Sequence, residues 1–203
     1  NASGVFGNEP QYFTTDPQLD ALELDTEPMV YAVKSVDHSG NVSEFSEAVD
    51  APMKMILEFE SGWNSLSGYI DPASSGLDDI FSGLENQLIF LNNLEGYWMP
   101  GPSHVTLNQW DSQSGYQVKM SEPVAVELRG FFIHDQVVQL EQGWNLLPVL
   151  SMCPVNVDDL LAVYGTNIMV IKDAVGLNVR WPDQGVNTVE YLNPGMAYLV
   201  FVD

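Results

Sequence analysis

From residue 29 onward, apolar and polar positions alternate in short runs broken by Gly, Pro, Asn and Asp, the period-2 signature of strands with one face buried. Residues 29–36 and 42–49 predict a strand pair turned by Asp37-His38-Ser39-Gly40-Asn41. Further on, Leu57 and Phe59 lead into Glu60-Ser61-Gly62, and Trp63, Asn64 and Leu66 follow. A three-residue connection closing on glycine predicts a hairpin with a left-handed residue and a bulge. Val138 and Leu140, then Glu141-Gln142-Gly143-Trp144-Asn145-Leu146-Leu147, repeat the arrangement. On this reading Trp63 and Trp144 point into the core, burying roughly 150–250 Å² each, while Asn64 and Asn145 satisfy nearby backbone groups.

The recurrence extends well beyond that stretch. Gly143 follows Gly62 by 81 positions, Asp158-Asp159 follow Asp78-Asp79 by 80, and Tyr198 follows Tyr116 by 82. The chain therefore divides into an N-terminal segment, residues 1–52, and two repeats, residues 53–130 and 131–203. Each repeat holds one amphipathic helix candidate, Leu77/Ile80/Phe81/Leu84 and Val157/Leu160/Leu161/Tyr164, spaced i, i+3, i+4, i+7. Gly76 and Asn156 stand at the cap positions, and the Asp pairs fall in the first turn, where they complement the open N–H groups and the dipole. Adjacent helical carboxylates point roughly 100° apart, so these pairs suit capping rather than acid/base chemistry on one substrate. A strand follows each helix (87–91 and 168–171), then a glycine-containing hairpin to Trp98 or Trp181, and a final strand (116–120 and 198–202). Residues 125–128 predict a further strand crossing towards the second repeat. The fold class expected is mainly β: a partial sandwich segment followed by two pseudo-symmetric β-rich repeats, each with one short helix. An incomplete sandwich leaves an apolar face to cover, and Tyr12, Phe13, Leu22 and Leu24 are expected to pack against the Tyr31/Val33/Val36 hairpin, with the first repeat or a second chain over the rest.

Two stretches carry resemblances. Tyr31-Ala32-Val33-Lys34-Ser35-Val36-Asp37, running into Gly40-Asn41 and a Ser-rich strand, resembles the last hairpin of a fibronectin type III domain and covers residues 20–50. Residues 53–203, with Gly-Trp-Asn, a short helix, an apolar strand into an Asn/Asp turn, an aromatic before proline and Tyr-x-Val, resemble tandem repeats of large secreted bacterial multidomain proteins. That resemblance implies an accessory region of an extracellular protein, secreted or at the bacterial cell surface, with neighbouring domains of the parent protein as partners.

Composition narrows the function classes. No apolar run approaches the ~20 residues of a membrane helix, and the opening Asn-Ala-Ser has no basic and apolar leader, so the chain reads as a fragment of something longer. Six Lys plus Arg against 28 Asp plus Glu give a net charge of −22, a field that repels nucleic acid and anionic membrane. The acidity is uniform, with 1 base against 10 acids in 1–52, 3 against 10 in 53–130 and 2 against 8 in 131–203. The single Cys153, amid apolar neighbours, reads as a buried small hydrophobe. Asp37-x-Ser39-x-Asn41-x-Ser43-Glu44 alternates oxygen ligands, but a calcium loop of the EF-hand type needs its glycine sixth and its glutamate twelfth. Elbow, zincin, phosphate-loop and Cys/His metal patterns are missing from the sequence, so no catalytic, metal or cofactor residue is assigned. The expected function is a noncatalytic structural, spacer or anchoring module. The alternative is a carbohydrate-binding module, stacking sugar rings on Trp98, Trp110 and Trp181, with polysaccharide as the partner. The N-terminal segment is the surface through which a homodimer would form.

Overall fold

The structure is a computed structural model that describes residues 26–101, 105–164 and 167–203. Tyr12, Phe13, Leu22, Leu24 and His104 lie outside the described residues. The fold is mainly β, built from several antiparallel sheets. β1 (Val30–Tyr31) and β2 (Val49–Asp50) pair at the base of the N-terminal hairpin, and a bridge joins Val36 to Val42 near its tip. Between them the Ser43 and Ser46 N–H groups donate to the Ser35 and Val33 carbonyls, and the hydroxyls of the same two serines accept the Ser35 and Val33 N–H groups. The Asp37 carboxylate closes the turn, accepting from the backbone of Ser39 and Asn41 and from the Asn41 amide. Val33, Val36, Val42 and Val49 are exposed.

The next elements are β3 (Met53–Phe59), β4 (Gly62–Leu66), β5 (Ile70–Pro72), helix α1 (Leu77–Ile80), β6 (Leu88–Asn92), β7 (Tyr97–Trp98), β8 (Tyr116–Met120) and β9 (Val124–Phe132). They form two sheets, ordered β3-β9-β5 and β4-β8-β6-β7. Alternation along β3 turns Met53, Met55, Leu57 and Phe59 inward, and Leu66, Leu91, Tyr116, Val118 and Met120 of the other sheet join them in one core. Next come β10 (Gly143–Pro148), β11 (Val155–Asn156), α2 (Val157–Tyr164), β12 (Ile168–Asp173) and β13 (Val179–Trp181). β14 (Val186–Asn187), β15 (Tyr191–Leu192) and β16 (Ala197–Val202) complete the chain. Their sheets are ordered β10-β16-β12-β13-β14 and β11-β15.

The connection Glu60-Ser61-Gly62 is a corner, not the expected hairpin. β3 pairs with β9 and β4 with β8, so the chain leaves one sheet and enters the other there. Gly62 takes φ 97° and Gly143 φ 100°, values costly for any residue with a Cβ. Asn64 brackets the corner, accepting the Glu60 N–H at 2.9 Å and donating to the carbonyls of Glu60 at 2.7 Å and Gly62 at 3.2 Å. Asn145 makes the same three bonds, to Glu141 at 2.8 and 2.7 Å and to Gly143 at 3.1 Å. Trp63 and Trp144 are not core residues: with Leu66 inward, a period of two turns Trp63 to the outer face, and the pair are 46% and 51% exposed.

The two larger sheets share their registers. Leu66 lies opposite Tyr116 and Leu147 opposite Tyr198; Leu91 is opposite Val118 and Ile171 opposite Val200. Both ladders shift at the same place, between Leu88 and Phe90 and between Ile168 and Val170. The Tyr116 hydroxyl accepts the Asp111 N–H, and the Tyr198 hydroxyl the Asn193 N–H. β9 departs from expectation. It runs unbroken through the boundary placed after Gly130 and pairs with β3 and β5, rather than crossing to the second half. Val138 and Leu140, expected to lead into a hairpin at Glu141-Gln142-Gly143, lie in no strand, and Cys153 is exposed rather than buried.

The halves meet where β4 ends against the start of β16, and where β10 meets the start of β8. Ser67, fully buried, donates its N–H to the Gly195 carbonyl at 2.9 Å and its hydroxyl to the Met196 carbonyl, and accepts the Val149 N–H at 3.1 Å. Gly115 donates to the Leu146 carbonyl at 3.0 Å, and the Gln117 amide reaches the Ala174 carbonyl at 2.6 Å. A Cβ on Gly115 would fall 2.7 Å from that of Ala197, so glycine sets this approach.

Ser67→Ala strands a buried N–H and a buried carbonyl and is expected to destabilise by about 1–3 kcal/mol, read as a lower urea midpoint at unchanged slope. The Asp37 carboxyl is held below its ordinary range, chiefly by the Asn41 side-chain amide. Its contribution is therefore present above the unfolded-state pKa and lost as pH falls through the folded one. An Asp37 carboxyl resonance titrating below the usual aspartate range, with the turn amides of Ser39 and Asn41 losing exchange protection at the same pH, is the expected result.

Candidate functional site

The three tryptophans that sequence marks for sugar stacking take two different environments. β7 alternates Tyr97 outward and Trp98 inward. Trp98 is 3% exposed, packs its ring on Phe81 at 5.7 Å and donates its indole N–H to the Asp78 carboxylate at 3.1 Å. Trp110, 5% exposed, stacks on Tyr116 at 4.8 Å and donates to the Ser112 hydroxyl at 3.2 Å. Neither offers a ring face to solvent. Trp181 is 40% exposed at the end of β13, and no ring pairs with it among the described residues.

Trp98 and Trp181 do not occupy matching positions. Trp98 lies opposite Leu91, and its counterpart opposite Ile171 is Arg180. Arg180 donates to Asp158 at 2.6 Å, as Trp98 donates to Asp78. The first Asp of each pair thus anchors the neighbouring strand to the helix start, by an indole in one half and a guanidinium in the other. Asp158 is well exposed, so its ion pair is worth at most about 1 kcal/mol. Asp79 accepts the Ser74 hydroxyl at 2.6 Å, and Asn156 caps α2, its side-chain oxygen accepting the N–H groups of Asp158 and Asp159 at 2.9 and 3.1 Å. The Asp78, Asp79 and Asp158 carboxylates are thus engaged at the helix starts.

The exposed Trp63 and the half-buried Phe90 and Tyr97 instead form a row across the outer face of the β4-β8-β6-β7 sheet. Trp63 meets Phe90 edge-to-face at 6.1 Å, Phe90 stacks on Tyr97 at 5.7 Å, and the Lys119 ammonium stands 5.7 Å from the Trp63 ring. At the matching place in the second half Trp144 meets Phe201 at 5.3 Å. The row was legible through strand alternation: an inward Leu66 and a buried Trp98 turn Trp63 and Tyr97 out. Phe90 and Tyr97 are stacked face to face, and Trp63 meets Phe90 edge-on with the Lys119 ammonium over its ring. The geometry is that of cross-strand pairs stabilising a sheet, each worth about 0.2–1 kcal/mol.

Elsewhere chemistry-bearing side chains are scattered. His134 contacts Asp50 at 3.0 Å, Cys153 is exposed, and among the described residues no three His, Cys, Asp or Glu side chains converge as a metal site. Burial raises the Tyr116 and Tyr198 hydroxyls above the ordinary phenol range, so both stay protonated donors within their turns. No helix among the described residues is long and apolar enough to cross a membrane. No known protein-family model matches the chain, and neither does any curated protein or solved structure.

Trp98→Ala is expected to cost about 3–5 kcal/mol, the range for emptying a buried aromatic site, whereas Trp63→Ala loses only a surface pair, about 0.2–1 kcal/mol. Urea unfolding followed by circular dichroism separates the two, and acrylamide should quench Trp63 and Trp144 well before Trp98 and Trp110.

Proposed function

We propose that this chain is a noncatalytic structural and anchoring module of a larger secreted bacterial protein, built from two copies of one β unit behind a hairpin of fibronectin type III character. The observation that carries this reading is the engagement of the aromatics. Of the three rings marked for sugar stacking, Trp98 and Trp110 are buried and Trp181 alone is exposed, while Trp63, Phe90 and Tyr97 pack on one another across neighbouring strands. The junction supports it too, since hydrogen bonds through Ser67, Gly115 and Gln117 fix one half against the other, as a spacer holding its neighbours in a set geometry requires. A surface dominated by acidic groups favours solubility and repels polyanions.

Trp181 is the residue through which the carbohydrate-binding alternative is tested. Intrinsic fluorescence of the intact chain is titrated with soluble polysaccharides, beside affinity electrophoresis in gels containing them. The expected result is no saturable change in emission and no retardation. A saturable shift lost in Trp181→Ala, at unchanged thermal stability, would replace the structural reading with the binding one.

A further inference from the structure

The halves are joined through the outer faces of their larger sheets. Counting in twos from the inward Tyr198 and Val200, β16 turns Ala197, Leu199 and Phe201 outward, and β10 turns Trp144 and Leu146 the same way. Leu146, Ala197 and Leu199 form the junction cluster against Gly115, and Gln117, outward on β8, reaches the Ala174 carbonyl. Two residues further along each strand the same face is open. Trp144 lies opposite Phe201 and Phe201 opposite Val170, and β13 and β14 carry the row on with Trp181 opposite Val186. Trp144, Trp181 and Val186 are exposed, and Phe201 and Val170 half-buried. Charge sets this face apart. The nine strands of the two larger sheets contain one acidic residue, Asp173, and it is buried opposite the inward Tyr198. Their outward positions therefore carry no carboxylate, on a chain with 28 Asp plus Glu, whereas the β3-β9-β5 sheet exposes Glu58, Asp71 and Glu127. Aromatic enrichment with charge depletion is the mark of an interface core.

We propose that the Trp144–Val186 row is where a second copy of this chain docks, the outer faces of the two β10-β16-β12-β13-β14 sheets packing on each other about a twofold axis. Continuity favours that occupant, because the row extends a face that already packs against an equivalent sheet face at the junction. Charge favours it too. Two chains of net charge −22 repel wherever carboxylates confront carboxylates, and contact through this row brings none together. A single self-complementary patch is what a twofold contact requires. The matching row of the first half is unsuited to the role, since Lys119 stands between Trp63 and Phe90 with its ammonium 5.7 Å from the Trp63 ring. Closing an equivalent face over it would bury a cation with no carboxylate to meet it. In the second half the place opposite the tryptophan is taken by Phe201, and the one outward cation, Lys172, stands off the line, opposite Leu199 in the row that meets the junction. Pairing of copies goes beyond the anchoring role, which a monomer fills equally.

The test is sedimentation velocity of the intact chain over a concentration series, in low and in high NaCl. The expected result is a monomer–dimer equilibrium that tightens as salt screens the repulsion between two acidic bodies. Trp144→Ser and Trp181→Ser should each weaken dimerisation at least tenfold, while Trp63→Ser, the same corner position in the first half, leaves it unchanged. A measurement on the unmutated chain removes any dependence on how the variants fold: acrylamide quenching of its tryptophan emission should fall as concentration rises. A monomer at every concentration and salt, equal weakening by Trp63→Ser, dimerisation lost instead in Val33→Ser on the exposed N-terminal hairpin, association that weakens with salt, or quenching indifferent to concentration would each overturn the proposal.

Discussion

A chain that turns from one sheet into another must do so without stranding backbone groups that a hairpin would have paired. The glycine-tryptophan-asparagine corner meets that constraint with one left-handed glycine and one asparagine side chain. Asn64 and Asn145 each close two carbonyls and one N–H that the departing strands leave open. Once the corner is fixed, so is the phase of the strand that leaves it. Leu66 and Leu147 face inward, Trp63 and Trp144 face out, and the ladders with β8 and β16 take their registers from there.

Similar geometry is met in the two halves by different chemistry. Where Trp98 gives an indole N–H to Asp78, Arg180 gives a guanidinium N–H to Asp158. Where Asn93 accepts the N–H groups of Glu95 and Gly96 in one turn, the Asp173 carboxylate accepts from the backbone and side chain of Asn178 in the other. What persists is a donor or acceptor at a given place. Its cost differs, because a buried indole also fills volume and a partly exposed ion pair does not.

Elements that depend on neighbours in sequence were the legible ones. The helix starts, the Asn156 cap, the Asp37 turn, the strand after each helix and the role of Asn64 follow from spacing and local hydrogen-bonding habit. The misreadings share a cause in non-local pairing. Whether Glu60-Ser61-Gly62 is a hairpin or a corner depends on β8 and β9, more than fifty residues away. The spacing of Val138 and Leu140 likewise predicts a strand leading into the second turn, but a ladder needs a partner from elsewhere in the chain. The tryptophans were misplaced by ranking size above phase: their hydrophobic area suggested burial, while the two-residue period counted from Leu66 set them outside. Cys153 was read from apolar neighbours that turn elsewhere.

The halves are unequal in how they support themselves. The first closes its core between two sheets, with β3, β5 and β9 covering the Leu91, Trp98, Tyr116 and Val118 face. Among the described residues the second has the two-residue strands β11 and β15 with α2 opposite its five-stranded sheet, and two-stranded ribbons are marginal by themselves. Its stability therefore leans on the junction, where Leu146, Ala174 and Ala197 form a small cluster beside Gly115 and Val149 gives its N–H to Ser67. A close approach set by a glycine, beside a buried serine bonded through its N–H and its hydroxyl, does not slide.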